Sequence, residues 1–531
     1  MLQKLASSSF HTWPWWWQPS NGNDGLGRFL LSSALIALFL WWVVHRKSRT
    51  RRQPPLPPGP FGLPLVGNLP FLDPELHKYF AKLARDYGPI LSLRLGMKLG
   101  IVVSSPSLAR EILKDQDVTF ANRDVLAAAK EASYGGSDIA WSPYGPEWRM
   151  LRKVCVRELL GNASLDAVYA LRRRELRRTV NYLYGRVGSP VNVGEQMFLN
   201  LLNVMTSMLW GATVKGEDGA EFRQVVANIT GLMGKPNVSD FFPGLARFDL
   251  QGIQKQQKGL VARFDRMFDA IIDRRLKMKD DGDDGKESKD FLQLLLKLEH
   301  EGVSPAGDAK TPFTMTHVKA LLMDMVVGGT DTTSSTTEFA MAEMMKNPEI
   351  MRKAHQELDA MVGRNNIVED SHIHNLPYLY AVMKEALRLH PALPLLVPHC
   401  PSQSCVVGGY NIPKGARVFF NVWAIHRDPS IWENPLEFDP ERFLDSKFDR
   451  HVGNDFNYFP FGSGRRKCAG IAMAERMFML SLATLVHSFE WKLPEGEEME
   501  MSEKFGIVLK KKTPLVAIPT PRLSDPALYD E

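Results

Sequence analysis

Ten residues near the C-terminus constrain this chain more than any other stretch: Phe461-Gly-Ser-Gly-Arg-Arg-Lys-Cys-Ala-Gly470. Two glycines ahead of the cysteine allow a tight backbone turn, and Gly470 leaves room on its far side. An apolar helical run, opening Ile471-Ala-Met-Ala-Glu-Arg476, follows at once. Cys468 is therefore predicted at the head of a helix, where unpaired N–H groups and the positive dipole end favour thiolate over thiol. Arg465, Arg466 and Lys467 add positive charge, and Phe461 can cover the sulfur on its apolar side. A thiolate so placed suits a soft metal. The plainer alternative, an inert buried cysteine beside a basic turn, leaves the glycines, the arginine and the aromatic unexplained.

The chain has 531 residues, 44% of them apolar, enough for one large domain or several ordinary ones. Short β-like stretches fall early, at Ile90–Leu95 and Gly100–Ser104, and helical periodicity dominates from about Pro106 to His390. Beyond Pro391 the chain is rich in Pro and Gly, with short strands, until a last helix begins after Gly470. The hydrophilic run Lys277–Lys286 reads as a solvated surface loop. There is no internal repeat, and no linker divides the chain after residue 60. The patterns predict a mainly α body with a minor β region, one large domain over 61–531.

Ahead of that body, Phe29 to Val44 is an uncharged, mostly apolar run. It is a little short against the roughly 20 residues that span a bilayer, but Trp41 and Trp42 suit one interface and Arg28 the other. A basic cluster, His45 to Arg52, follows directly. The positive-inside rule then keeps the downstream chain cytosolic and sends the Trp-rich head, 1–28, across. A cleaved signal peptide would carry its charge ahead of the apolar run, and here most of it lies behind. Residues 29–44 are thus expected to anchor the protein in a membrane, with 45–60 a basic, Pro-rich linker that no helix can occupy. Asn162, Asn228 and Asn237 begin glycan-acceptor triplets that this orientation leaves bare.

Charge excludes one class of partner. Sixty-five basic and 60 acidic residues leave a formal net charge of +5, and no basic stripe interleaved with aromatics appears, so nucleic acid is not expected. The four cysteines form no C-x-x-C pair; Cys400 and Cys405 are near enough to bridge, but two free thiols are the favoured reading.

A second unusual stretch lies inside a long helix predicted over Thr316–Met345, ending before Pro348. Its middle, Gly328-Gly-Thr-Asp-Thr-Thr333, is poor helix material. Such a local violation often marks a functional bend, with glycines admitting a ligand and the hydroxyl and carboxylate feeding protons to it.

Phe461, Gly464, Arg466, Cys468 and Gly470 fit the F-x-x-G-x-R-x-C-x-G signature, so this chain resembles the cytochrome P-450 superfamily of haem-thiolate monooxygenases. The likeness extends from the Pro-rich linker nearly to the C-terminus. It implies the fold of that family, haem b with Cys468 as axial thiolate, and Arg466 paired with a haem propionate. Trp148-Arg-Met-Leu-Arg152 resembles the segment whose Trp and Arg contact propionates, and His399 stands where many relatives place another propionate contact. Glu385-Ala-Leu-Arg388 with Arg442 of Pro440-Glu-Arg-Phe443 resembles the family's buried ionic network, a structural role. By the same likeness Thr332 stabilises iron-bound oxygen species and Asp331 connects a proton relay to solvent.

The implied reaction splits O2, placing one atom in a small apolar substrate and the other in water. An electron-donating axial thiolate favours that O–O cleavage. No G-x-G-x-x-G follows a strand, so electrons are expected from a separate membrane-bound, NADPH-dependent reductase. Arg149, Arg152, Lys153, Arg157 and Arg465–Lys467 offer it a positive face, unless they are ordinary solvated charge. Val327, Gly328, Leu395, Leu396 and Ile507 are the candidate substrate contacts. The Tyr134–Trp148 stretch with Gly470–Arg476 looks similar to a plant clan that oxidises terpenoids and flavonoids. A sesquiterpene-like substrate at the endoplasmic reticulum membrane is the first expectation. A flavonoid or other phenolic hydroxylase, an O2-independent haem-thiolate isomerase or dehydratase, and a non-enzymatic haem-binding membrane protein are the alternatives.

Overall fold

The computed structural model describes residues 54–213, 217–280, 290–302, 312–444 and 455–530. The expected head (1–28), anchor (29–44) and most of the linker lie outside the described residues. Among the described residues, no helix is long and apolar enough to cross a membrane.

Helices α1 (Leu76–Tyr87), α2 (Pro146–Lys153), α3 (Val193–Trp210), α4 (Glu217–Gly234), α5 (Ile253–Asp280), α6 (Met315–Lys346), α7 (Pro377–Leu389) and α8 (Ile471–Ser488) build the frame. Strands β1 (Ile90–Leu95), β2 (Lys98–Val103) and β3 (Arg417–Phe420) form the sheet beside them. β2 runs antiparallel to β1 and parallel to β3, with Val103 opposite Phe420. Ile101, Val102 and Val103 are all fully buried, which is why this strand reads as an unbroken apolar run rather than an alternating one. A small hairpin, β4 (Glu503–Lys504) and β5 (Lys510–Lys511), lies late in the chain.

The axis of the body is α6, whose 32 residues exceed the predicted span by one at each end. Thr314 caps its start: the Thr314 side chain accepts the His317 N–H, and the His317 ring accepts the Thr314 N–H at 3.0 Å. It stops at Asn347 because Pro348 biases the residue before it away from helix. Poor intrinsic propensity in the middle is overcome in two ways. Burial of most of the helix surface supplies tertiary stabilisation. The threonine hydroxyls also return to carbonyls four residues back, Thr330 to Val326 at 2.7 Å and Thr336 to Thr332 at 2.9 Å. Gly329 admits α3 closely: a Cβ there would stand 3.0 Å from the Met205 methyl carbon.

The loop expected over Lys277–Lys286 begins later than the sequence suggested, because α5 continues through Asp280, and 281–289 lie outside the described residues. Phe264, Phe268 and Ile272, buried at helical spacing, tie this helix to the core and carry it on. Helix α7 starts at Pro377, a residue preset for a first helical turn, and ends one residue before His390.

Candidate active site

Cys468 sits in the short segment between the 3-10 turn Gly464–Arg466 and α8. Its N–H closes the loop onto the Phe461 carbonyl at 3.0 Å. Gly462 and Gly464 take φ values of +68° and +70°, the left-handed region that disfavours side chains. At Gly464 a Cβ would also lie 2.3 Å from the Leu113 carbonyl oxygen. The sulfur accepts the Gly470 N–H at 3.3 Å, so the helix-head donor foreseen for a thiolate is present. Burial is nevertheless the largest influence and pushes the thiol up, with the Gly470 N–H, Arg152 and Lys467 pulling the other way. What surface Cys468 exposes opens onto a cavity.

That cavity offers about 360 Å³, within the usual range of a cofactor or ligand pocket. Cys468, Phe461 and Gly470 line it together with Gly328 and Thr332 of α6. The Thr332 hydroxyl donates to the Gly328 carbonyl at 2.8 Å. Val327, Leu396 and Ile507 also contribute to the wall. Leu395 does not and is a correction: it is 5% exposed and packs in the cluster of Leu91, Leu93, Val102 and Phe241. Neighbouring residues on irregular chain point to different sides, and Leu396 takes the cavity side.

Asp331 is also absent from the wall. Its Oδ1 lies 2.6 Å from Lys510 Nζ, and its Oδ2 accepts the Thr230 hydroxyl at 3.0 Å. Trp148 stands one layer back. Its ring N–H donates to the Ile139 carbonyl at 3.0 Å, and its face supports the Arg466 guanidinium at 4.5 Å.

Three guanidiniums, Arg123, Arg152 and Arg466, line the cavity with His399. Arg466 donates to the carbonyls of Ala121, Ile139 and Ser142 at 2.6, 3.2 and 2.5 Å. Arg123 donates to those of Ala140, Val397 and Pro398, and Arg152 to that of Lys467. Among the described residues none of the three has a carboxylate within ion-pair distance. Burial disfavours the charge of each, bringing Arg466 down to about 10 and Arg123 well below its usual value. His399 is held neutral by burial and the adjacent Arg123, its Nδ1 donating to the Phe120 carbonyl at 2.9 Å.

Arg123 had no signal in the sequence, and neither did two buried acids beside it. Asp138 accepts the N–H groups of Trp141 and Ser142 at 2.8 and 3.0 Å, and Asp324 of α6 accepts that of Ile139 at 2.8 Å. Burial pushes Asp138 up to about 6. Asp324 rises well above the ordinary range through burial and then the Asp138 charge.

These residues fit a haem. Among the described residues no carboxylate stands within ion-pair distance of the clustered guanidiniums, a place that two propionates would fill. Among the described residues no group of three or more His, Cys, Asp or Glu could hold a metal ion.

Around this site, Glu385, Arg388 and Arg442 meet in one network. Arg442 Nε donates to Glu385 Oε1 at 3.1 Å and its Nη1 to the Glu433 carbonyl at 2.9 Å.

A family model described as Cytochrome P450 matches residues 57–518. The chain is 39% identical to a flavonoid 3'-monooxygenase, CYP75B137, of Crocosmia x crocosmiiflora, over 94% of this chain and 98% of that protein. It is 39% identical to a flavonoid 3',5'-hydroxylase of Solanum melongena, over 93% and 97%. A flavonoid 3'-monooxygenase of Arabidopsis thaliana is 40% identical over 94% and 98%. Among solved structures, a zebra fish cytochrome P450 with progesterone superposes with a TM-score of 0.73 at 27% identity, over 84% of this chain and 99% of that one.

Proposed function

The chain belongs to the cytochrome P450 family, and from that premise we propose that it is a monooxygenase that hydroxylates the aromatic ring of a flavonoid. Its enzyme class is that of a haem-thiolate monooxygenase drawing electrons from an NADPH-dependent reductase. The observation that carries the flavonoid reading is near-full-length identity of 39–40% to flavonoid 3'-monooxygenases and a flavonoid 3',5'-hydroxylase of several plants. It favours the flavonoid alternative over the sesquiterpene first expected from motif likeness.

When bound, the haem supplies activation of O2. The chain's own residues supply the rest. Cys468 is the proposed axial ligand, held by the Phe461 carbonyl and the Gly470 N–H. Arg123, Arg152 and Arg466 would receive the propionates. Apolar walls (Met205, Met233, Val327, Leu396, Ile507) exclude water and suit a flat aromatic substrate. The Thr332 hydroxyl, on the cavity wall and resting on the Gly328 carbonyl, would hold or pass a proton. The run 29–44 with its basic flank keeps the membrane anchor, and a cytosolic catalytic body over 61–531, part of the same reading.

Co-expression with a plant reductase, followed by incubation with a flavonoid panel and a sesquiterpene panel, tests this. A flavonoid product heavier by one oxygen atom, formed only with NADPH, is expected. Oxidation of sesquiterpenes with flavonoids untouched would overturn the substrate assignment.

A further inference from the structure

Asp331 is gripped by two side chains that lead in different directions. Lys510 on β5, about a third exposed (31%), leads to solvent; Thr230 on α4 is buried and belongs to the cavity wall. The carboxyl group itself is withdrawn from the wall. Among the described residues its hydrogen-bond partner on the cavity side is the Thr230 hydroxyl at 3.0 Å, whereas the hydroxyl of the adjacent Thr332 is committed to the Gly328 carbonyl.

We infer that Thr230 is a positioning residue for proton supply, its hydroxyl joining the Asp331 carboxyl to the cavity in both protonation states. This rests on the monooxygenase reading above. A hydroxyl has one hydrogen to give and two lone pairs to receive. Against the Asp331 carboxylate, Thr230 donates to Oδ2. The carbonyls of Val226 and Ala227 lie 3.1 and 3.2 Å from the Thr230 hydroxyl oxygen as alternative acceptors. When Asp331 takes up a proton, Oδ2–H donates to Thr230 and the threonine hydrogen turns to Val226, so no buried polar group is orphaned. Lys510 has donors only and suits only the charged form. Among the described residues, a proton that reaches Asp331 from the solvent side therefore leaves toward the cavity through Thr230. Thr230 accepts it while its own hydrogen swings from the Val226 carbonyl to a water in the cavity and passes to that water as a proton.

The test belongs at Thr230 rather than Lys510, because the Lys510 charge also acts on Glu338, further along α6 and near Lys511 and Arg223. Thr230→Val keeps the shape and removes the hydroxyl; Thr230→Ser keeps the hydroxyl and removes the methyl. The full-length protein in reductase-containing membranes is assayed with naringenin, a flavanone, as probe. Both variants should retain the parent's reduced carbon-monoxide spectrum. Thr230→Val should divert electrons to hydrogen peroxide, lowering product per NADPH by about tenfold, and Thr230→Ser should stay within about twofold of the parent. A readout independent of turnover is the melting temperature of Thr230→Val, Asp331→Asn and their combination, which should be non-additive. Parent-like coupling in Thr230→Val, Thr230→Ser as impaired as Thr230→Val, or additive melting shifts would each overturn the inference. A parent lacking a thiolate-haem spectrum is a different failure, that of the underlying reading.

Discussion

Arg388 grips Glu385 through two parallel hydrogen bonds, Nε to Oε2 at 2.7 Å and Nη2 to Oε1 at 2.8 Å, with both side chains wholly withdrawn from solvent. The remaining capacity is used as fully. Arg388 donates to the carbonyls of His426, Pro435 and Glu437, and Glu385 accepts from the Asp439 N–H and Arg442. A buried pair this completely bonded fixes the chain that follows α7 against the helix. Removing one partner strands the other charge, so Glu385→Gln should cost roughly 3–5 kcal/mol. Arg388→Lys should fare little better, because an ammonium cannot replace the planar fork. Loss of correctly folded haem protein on expression, together with a lowered melting temperature, is the measurement; parent-like yield would contradict it.

Cys468→Ala should abolish thiolate ligation while leaving the loop closed, since the Cys468 N–H bond to Phe461 belongs to the backbone. The reduced carbon-monoxide difference spectrum reads this directly. A variant with the parent's spectrum would mean that another side chain holds the iron.

Thr332→Ala removes a cavity-facing hydroxyl whose protein partner is the carbonyl of Gly328 in its own helix. Helix stability should change by less than about 1 kcal/mol, since alanine is the better helix former. Product per NADPH should fall by roughly one to two orders of magnitude while peroxide rises. Unchanged coupling would remove Thr332 from proton handling.

Acid stability should depend on Glu503. Burial by itself pushes this carboxyl up, but the bonds from His390 and His77, both at 3.1 Å, and the Arg427 charge outweigh it and hold it well below the ordinary carboxylate range. A depressed folded-state value means that the stabilisation is present above the unfolded value, about 4.3. It is lost as pH falls through the folded value. Glu503→Gln should therefore lower stability by roughly 3 kcal/mol at pH 7, and by progressively less as pH falls from about 4.3 toward the folded value. Melting temperatures across that range give the comparison; an equal loss at both ends would refute the linkage.

Much of the frame was legible because its signals are local. The helix expected over Thr316–Met345, with Pro348 as its stop, falls within one residue of α6 at each end, and the apolar run of β2 proves to be a strand buried on both faces. The glycines of the cysteine loop announce a left-handed turn, which Gly462 and Gly464 adopt. Less legible was which way a side chain faces once the backbone is irregular or a neighbour competes. Leu395 and Leu396 are indistinguishable by type, and only the packing of Phe241 and β1 assigns one to the core and one to the cavity. Asp331 and Thr332 look like one unit in the chain, yet adjacent positions on a helix diverge by about 100°, and Lys510 captures the acid.

By itself, then, the chain's order of residues determined a helical body, a cysteine set in a glycine-shaped loop, and paired charges spaced for one helix face. These follow from turn geometry, capping and periodicity, which act over a few neighbours. Tertiary structure alone decided that Arg123, Arg152 and Arg466 share one cavity rim, that Asp138 and Asp324 meet beneath it, and that Thr230 stands between Asp331 and the cavity. Those meetings join residues tens to hundreds of positions apart. No local rule encodes them, because the energy that brings them together comes from burying the whole core.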